Sequence, residues 1–387
     1  MNTSAPERRL PSLTGLRFFA AFSVFLSHIY YTFWFTEESS ATATRASVVA
    51  GSAGVAFFFV LSGFVLTWSS RTGSPAPDFW RRRAVKVYPN HLVTWALALL
   101  LIYWMGGTAT SGQAIPSFFL VHAWLPAFDV HNSVNGVSWS LSCEVVFYLC
   151  FPFLIPAIRK LSSRRLSLWA GANTAAVLSV PVAATYLVSN SPHFADLGIG
   201  QHQLWLAYIF PGSRLLEFTL GMLLARMVSE GQLRFIRPWH ALLAVCVAAW
   251  TSLRIELLFT FTAVFVIPFA MTVVAFAYSD IQRRRTVLRT PVLVWLGEVS
   301  FAFYLTHGLV MSVAEHVYGD HFATAAMLAK LLWSMGLFLA ATACSWMLYV
   351  LVERPLMRRF GTRRRENEAI VESDGAHRPG AGADART

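Results

Sequence analysis

Long apolar runs alternate with short polar connectors along this chain, and many of the connectors are rich in arginine. In each run apolar side chains occupy all sides of a helix instead of one stripe, for about twenty residues at a time. That is the pattern of segments that cross a bilayer. Ten such runs have cores at 12–34, 50–69, 88–106, 137–158, 166–188, 204–226, 239–254, 257–279, 292–316 and 324–351. The pattern therefore predicts an all-α, polytopic transmembrane helix bundle of about ten spans. One more apolar piece, 115–128, is short and bracketed by Pro116 and Pro126, which predicts an interfacial or re-entrant segment.

Composition agrees. The 387 residues are 56% hydrophobic and only 13% charged, about half the charged share of a soluble domain. The polar stretch Met1–Pro11 lacks the form of a cleavable signal peptide. The four cysteines (Cys143, Cys150, Cys246, Cys344) all fall inside predicted helices, so neither a disulfide framework nor a metal site is expected. A net charge of +11 raises the question of nucleic acid, but the placement of the bases answers it. With both termini cytoplasmic, 26 of the 31 Lys and Arg residues lie in inside segments and three near the outside ends. That asymmetry is the positive-inside signature of a protein whose partner is the lipid bilayer. Three segments follow: a cytoplasmic N-terminal stretch 1–11, a membrane domain 12–357, and a basic tail 358–387 that is expected to be disordered. No internal repeat is visible.

Candidate chemistry begins in the first span, 13–29, which carries Arg17 and His28. Eleven residues amount to three helical turns plus ~20°, so both side chains share a face, ~16 Å apart along the axis. Two ionisable groups on one face of an apolar helix aim that face at a protein interior or polar cavity. Further intramembrane ionisable residues are Glu144, Arg214, Glu217 and His307. Ser140 and Glu144 share a helix face. Arg214 and Glu217 have the spacing to neutralise each other. Tyr304 stands one turn from His307. Ser62-Gly63 and Gly221 read as close-packing positions, and Glu353-Arg354-Pro355 as a helix stop. Four bases within six residues (Arg81, Arg82, Arg83, Lys86) sit just before Tyr88-Pro89, denser than topology needs, and suit a phosphorylated ligand. Buried charges in a bundle fit two classes, a proton-coupled transporter or an enzyme with a histidine base.

In this setting the residues resemble acyltransferase family 3, the integral membrane O-acyltransferases. The resemblance covers about residues 10–357. It rests on the Arg17/His28 pair, FFFVLSGFVL at 57–66, the basic element ending at Tyr88-Pro89, and SLSCE at 140–144. SRLLEFTLGMLLA at 213–225, GEVSFAFYLTH at 297–307 and VERP at 352–355 complete it. One departure is Lys86, where the family's Arg-x-x-Arg pattern carries a second arginine; lysine keeps the charge and loses the planar fork. Within the family the chain is most similar to the macrolide 3-O-acyltransferases of actinomycetes. The resemblance implies transfer of an acetyl or propionyl group from acetyl-CoA or propionyl-CoA to a macrolide hydroxyl, with no metal. His28 is then the general base or a transient acyl carrier, and Glu144 the group that orients it. Arg17, Arg82, Arg83 and Lys86 hold the donor, and His307, Tyr304, Arg214 and Ser140 are candidates for substrate contact. A cell-envelope glycan acceptor, or export of a hydrophobic small molecule, are the alternatives.

Overall fold

The computed structural model describes residues 9–35, 40–71, 73, 75–194 and 197–360. Of the expected tail 358–387, residues 358–360 end the last helix, whereas 361 onward and most of the N-terminal stretch lie outside the described residues. The chain forms α1 (Pro11–Ile29), α2 (Ala41–Ser69), α3 (Ala76–Trp104), α4 (Ser111–Phe118), α5 (Phe128–His131), α6 (Trp139–Arg159) and α7 (Ser163–Leu187). A two-stranded hairpin, β1 (His193–Phe194) and β2 (Ile199–Gly200), precedes α8 (Gln201–Leu204), α9 (Pro211–Ser229) and α10 (Pro238–Ser252). Then come α11 (Leu257–Thr260), α12 (Ala263–Ile281), α13 (Pro291–Thr324), α14 (Met327–Leu348) and α15 (Arg354–Phe360). The fold is an all-α polytopic bundle, and among the described residues eight helical segments are long and apolar enough to cross a membrane. The other two runs anticipated as spans are helical but depart from that standard. Segment 204–226 is interrupted at Phe210, because Pro211 starts a new helix, and α9 carries Arg214, Glu217 and Arg226. Helix α10 has 15 residues, about 22 Å of rise against a core of about 30 Å.

Helix α9 sits at the centre. A Cβ on Gly221 would come within 2.0 Å of the Val60 carbonyl oxygen, and one on Gly63 within 1.9 Å of that of Phe218. The two backbones touch at both points, so the small residues in 62–63 and at 221 serve packing. Phe147 stacks on Phe218 and meets Phe59 edge-on beside this contact.

One local finding corrects the sequence reading, and a second adds detail to it. The last helix does not stop at Glu353-Arg354-Pro355. A π-type turn over Tyr349–Glu353 leads directly into α15. The wider turn relieves the clash between a proline ring and the preceding turn, which would otherwise break the helix. Segment 115–128 resolves into the end of α4, a 3-10 turn at His122–Trp124 and the start of α5. His91 on α3 donates to the Ser117 carbonyl, and His122 contacts the Ser138 hydroxyl at 3.2 Å, which ties this cap to the bundle.

Candidate active site

The site is organised on α1. Its first turn is anchored by Asp280, whose carboxylate accepts from the Ser12 backbone N–H at 2.8 Å and from the Ser12 hydroxyl at 2.7 Å. A carboxylate there satisfies one of the N–H groups that a helix start leaves without a partner. Farther along, a Cβ on Gly297 would lie 1.9 Å from the Thr14 carbonyl oxygen, so α1 and α13 run in backbone contact. That approach brings together two histidines 279 positions apart. His28 Nδ1 lies 2.9 Å from His307 Nε2, with the ring centroids 5.1 Å apart and the ring planes within 14° of parallel. His307 is fully buried, and its Nδ1 is 3.0 Å from the Phe303 carbonyl.

His28 also lines a cavity of about 700 Å³. Its walls come from the C-terminal end of α1, the first half of α2, the 128–139 segment, the hairpin and residues 304–312 of α13. These lie at the end of the bundle opposite to the start of α1. Aromatic side chains (Tyr31, Phe128, Trp139, Tyr208, Phe261, Tyr304) alternate there with hydroxyls and amides such as Ser52 and Asn135. Among the described residues no Asp, Glu, Lys or Arg lines it. Tyr304 is held in the wall: its hydroxyl donates to the Val137 carbonyl at 3.1 Å and accepts from Ser140 at 2.9 Å. Asn135, which sequence reasoning passed over, donates to the Leu305 carbonyl and pins the loop to α13. Behind the loop, burial pushes the His122 imidazole down to about 3 and also lowers His131.

A second polar cluster occupies the basic side. Arg17 reaches the Ser300 hydroxyl at 3.4 Å and faces the Phe58 ring. Arg83 lies over Phe79 and Tyr148, with its buried Nε lacking a hydrogen-bond partner. Neither guanidinium forms an ion pair among the described residues. The other bases of the cluster are engaged to different degrees. Arg81 donates to the Phe360 carbonyl at the end of α15. Lys86 is bound by Glu353, which is only 2% exposed and also accepts from Asn90 at 2.6 Å. The residue read as a helix stop is thus the counter-ion of a residue read as a donor ligand. Arg82 stays half-buried at the surface. Glu144 and His28 share no hydrogen bond among the described residues. Glu144 accepts from Tyr148 at 2.7 Å, and Arg17, Arg83 and Lys86 are the charges that act on it.

Arg214 stands apart from both clusters. It is fully buried, 3.0 Å from Glu217, and packed between the Phe59 and Tyr208 rings. It backs the cavity wall through Tyr208 without reaching the cavity itself.

An acyltransferase domain matches residues 10–350 of the chain. Acyltransferase MdmB of Streptomyces mycarofaciens is 38% identical over 372 residues, which is 92% of this chain and 94% of its own. Nodulation protein 10 of Rhizobium leguminosarum bv. viciae is 26% identical, over 76% of this chain and 81% of its own. Peptidoglycan O-acetyltransferase OatA of Listeria monocytogenes is 22% identical, over 81% of this chain and 51% of its own. No solved structure matches.

Proposed function

The chain belongs to acyltransferase family 3, and from that membership we propose that it esterifies a macrolide hydroxyl with an acetyl or propionyl group from acyl-CoA. The observation that carries this reading is the position of His28, at the wall of a cavity that among the described residues is lined by no Asp, Glu, Lys or Arg, on the same helix as Arg17, which is three turns away and forms no ion pair among those residues. The positive-inside rule puts the basic cluster in the cytoplasm, where Arg17, Arg82 and Arg83 suit a phosphate-bearing donor. The cavity has the volume of a small-molecule site. Its mixture of aromatic rings and scattered hydroxyls suits an uncharged amphiphile better than an anionic glycan.

In the proposed step the acceptor oxygen attacks the thioester carbonyl carbon while His28 takes its proton. The C–O bond forms, the C–S bond breaks, and the proton passes from His28 to the departing thiolate. Histidine suits this task near neutral pH, because its ordinary pKa lies close to 6.5. The macrolide 3-OH is the acceptor group that the family resemblance favours. Export of a hydrophobic molecule is set aside, since the acyltransferase domain spans the bundle.

The test is acyl transfer by the purified protein in nanodiscs, scored by mass spectrometry with acetyl-CoA or propionyl-CoA and a set of macrolides. Ester formed by the wild type and lost by a factor of about 10³ in folded His28→Ala supports the reading. Full activity of His28→Ala sinks the base assignment. Slow thioester hydrolysis without a macrolide product points to a glycan acceptor.

A further inference from the structure

We propose that His307 is a positioning residue that fixes the tautomer of His28, so that His28 presents a bare Nε2 to the acceptor. This rests on the reading of His28 as the base. The assignment follows from one fixed point. A backbone carbonyl can only accept, so the 3.0 Å contact between His307 Nδ1 and the Phe303 oxygen places a proton on Nδ1. A neutral imidazole carries one proton, which leaves His307 Nε2 with a lone pair. His28 Nδ1, 2.9 Å away, must then be the donor of that contact. The proton of neutral His28 is thereby committed to Nδ1, and Nε2 is left as the acceptor. His28 Nε2 makes no hydrogen bond within the protein among the described residues.

The surroundings of His307 keep it neutral. It is fully buried against the rings of Phe25 on α1 and Phe303 and Tyr304 on α13. No carboxylate forms an ion pair with it among the described residues. The titratable groups in contact with it are His28 and Tyr304, and the Tyr304 hydroxyl is engaged by Val137 and Ser140. A cation there would be buried without compensation. The arrangement has the logic of a catalytic triad, in which a third group holds the histidine in one tautomer and supports the imidazolium that forms. Here a neutral imidazole fills the place of the carboxylate. When His28 Nε2 takes the acceptor proton, its Nδ1–H becomes a charge-assisted donor to His307.

The experiment compares two variants of His307 with the wild type in the acyl-transfer assay across pH. His307→Phe keeps a ring and removes the acceptor; His307→Gln offers a carbonyl oxygen to the same N–H. We expect kcat to fall about 30-fold in His307→Phe, with the acceptor KM changed less than about 3-fold. The acidic limb of its kcat profile moves to lower pH, because the imidazolium has lost a hydrogen bond. His307→Gln recovers most of kcat and the wild-type limb. Should His307→Phe not fold, His307→Met against His307→Gln carries the same comparison. A wild-type kcat and pH limb in His307→Phe (or His307→Met) overturns the proposal, as does a His307→Gln no better than it. His28→Ala run in parallel separates the two readings: activity retained there removes the base itself, whatever His307 does.

Discussion

Two arginines of this protein are buried or half-buried inside a helical bundle, and they live under opposite arrangements. Arg214 is sealed, with Glu217 at 3.0 Å and aromatic rings on either side. Arg17 reaches one hydroxyl and faces one ring, and its neighbour Arg83 lies over two rings; neither forms an ion pair among the described residues, and Glu144 is the carboxylate on which both charges act. A charge neutralised within its own helix completes the fold. Two arginines and a lysine that act on one carboxylate, with neither arginine paired to it, leave positive charge in excess, which is costly among apolar helices unless something else supplies an anion. The first arrangement belongs to the architecture, and the second supports the proposal that the donor binds at Arg17 and Arg83.

This contrast can be broken most forcefully at Arg214. Arg214→Met strands Glu217 in the core and is expected to destabilise the protein by about 3–5 kcal/mol, read as a lower unfolding midpoint in detergent. Arg214→Met combined with Glu217→Leu should recover most of that loss. A single variant as stable as wild type would show that the pair holds nothing in place. Arg17→Met and Arg83→Met should behave the other way, with an unchanged midpoint and a donor KM raised about 10–100-fold, the worth of hydrogen bonds to a charged ligand. Lys86 sharpens the distinction from between the two. With Glu353 as its counter-ion, Lys86→Met should cost about 1–3 kcal/mol of stability and leave the donor KM within about 3-fold. A KM effect equal to that of Arg83 would return Lys86 to the donor site. The smallest effect concerns the cap over the cavity. An unfolded histidine takes up a proton near pH 6.5, whereas His122 in place does so only near 3. Its contribution is therefore complete above pH 6.5 and lost as pH falls, by at most about 1.4 kcal/mol per unit. Unfolding midpoints at pH 7.5 and 5.5 should show a slope that His122→Gln flattens.

Sequence reading reached the features that depend on local spacing. Apolar runs gave the helices, the eleven-residue interval put Arg17 and His28 on one face, and the i,i+3 interval joined Arg214 to Glu217. It missed what depends on a second element. Nothing within α1 indicates that the partner of His28 is His307, and nothing in VERP indicates that Glu353 turns back to Lys86. The hydrogen bond from Tyr148 to Glu144 is different: it has the i,i+4 spacing of a single helix and was legible locally. The break at Phe210 was legible in Pro211, but a long apolar count masks a single proline. The π-type turns at Tyr30–Trp34, Trp205–Ile209 and Tyr349–Glu353 have no sequence signal of comparable strength.

The described wall of the cavity carries no formal charge, and this has a bearing on how the two substrates arrive. A neutral wall exerts no long-range pull, so the acceptor is gathered by partitioning out of water, a process that salt does not screen. The basic side works through fields that fade beyond about 8 Å at physiological ionic strength. Under the proposed function, ionic strength should act on capture of the two substrates unequally, slowing that of the donor and leaving that of the acceptor unchanged. The proposed donor side would then answer to the electrolyte, and the proposed acceptor side to the lipid.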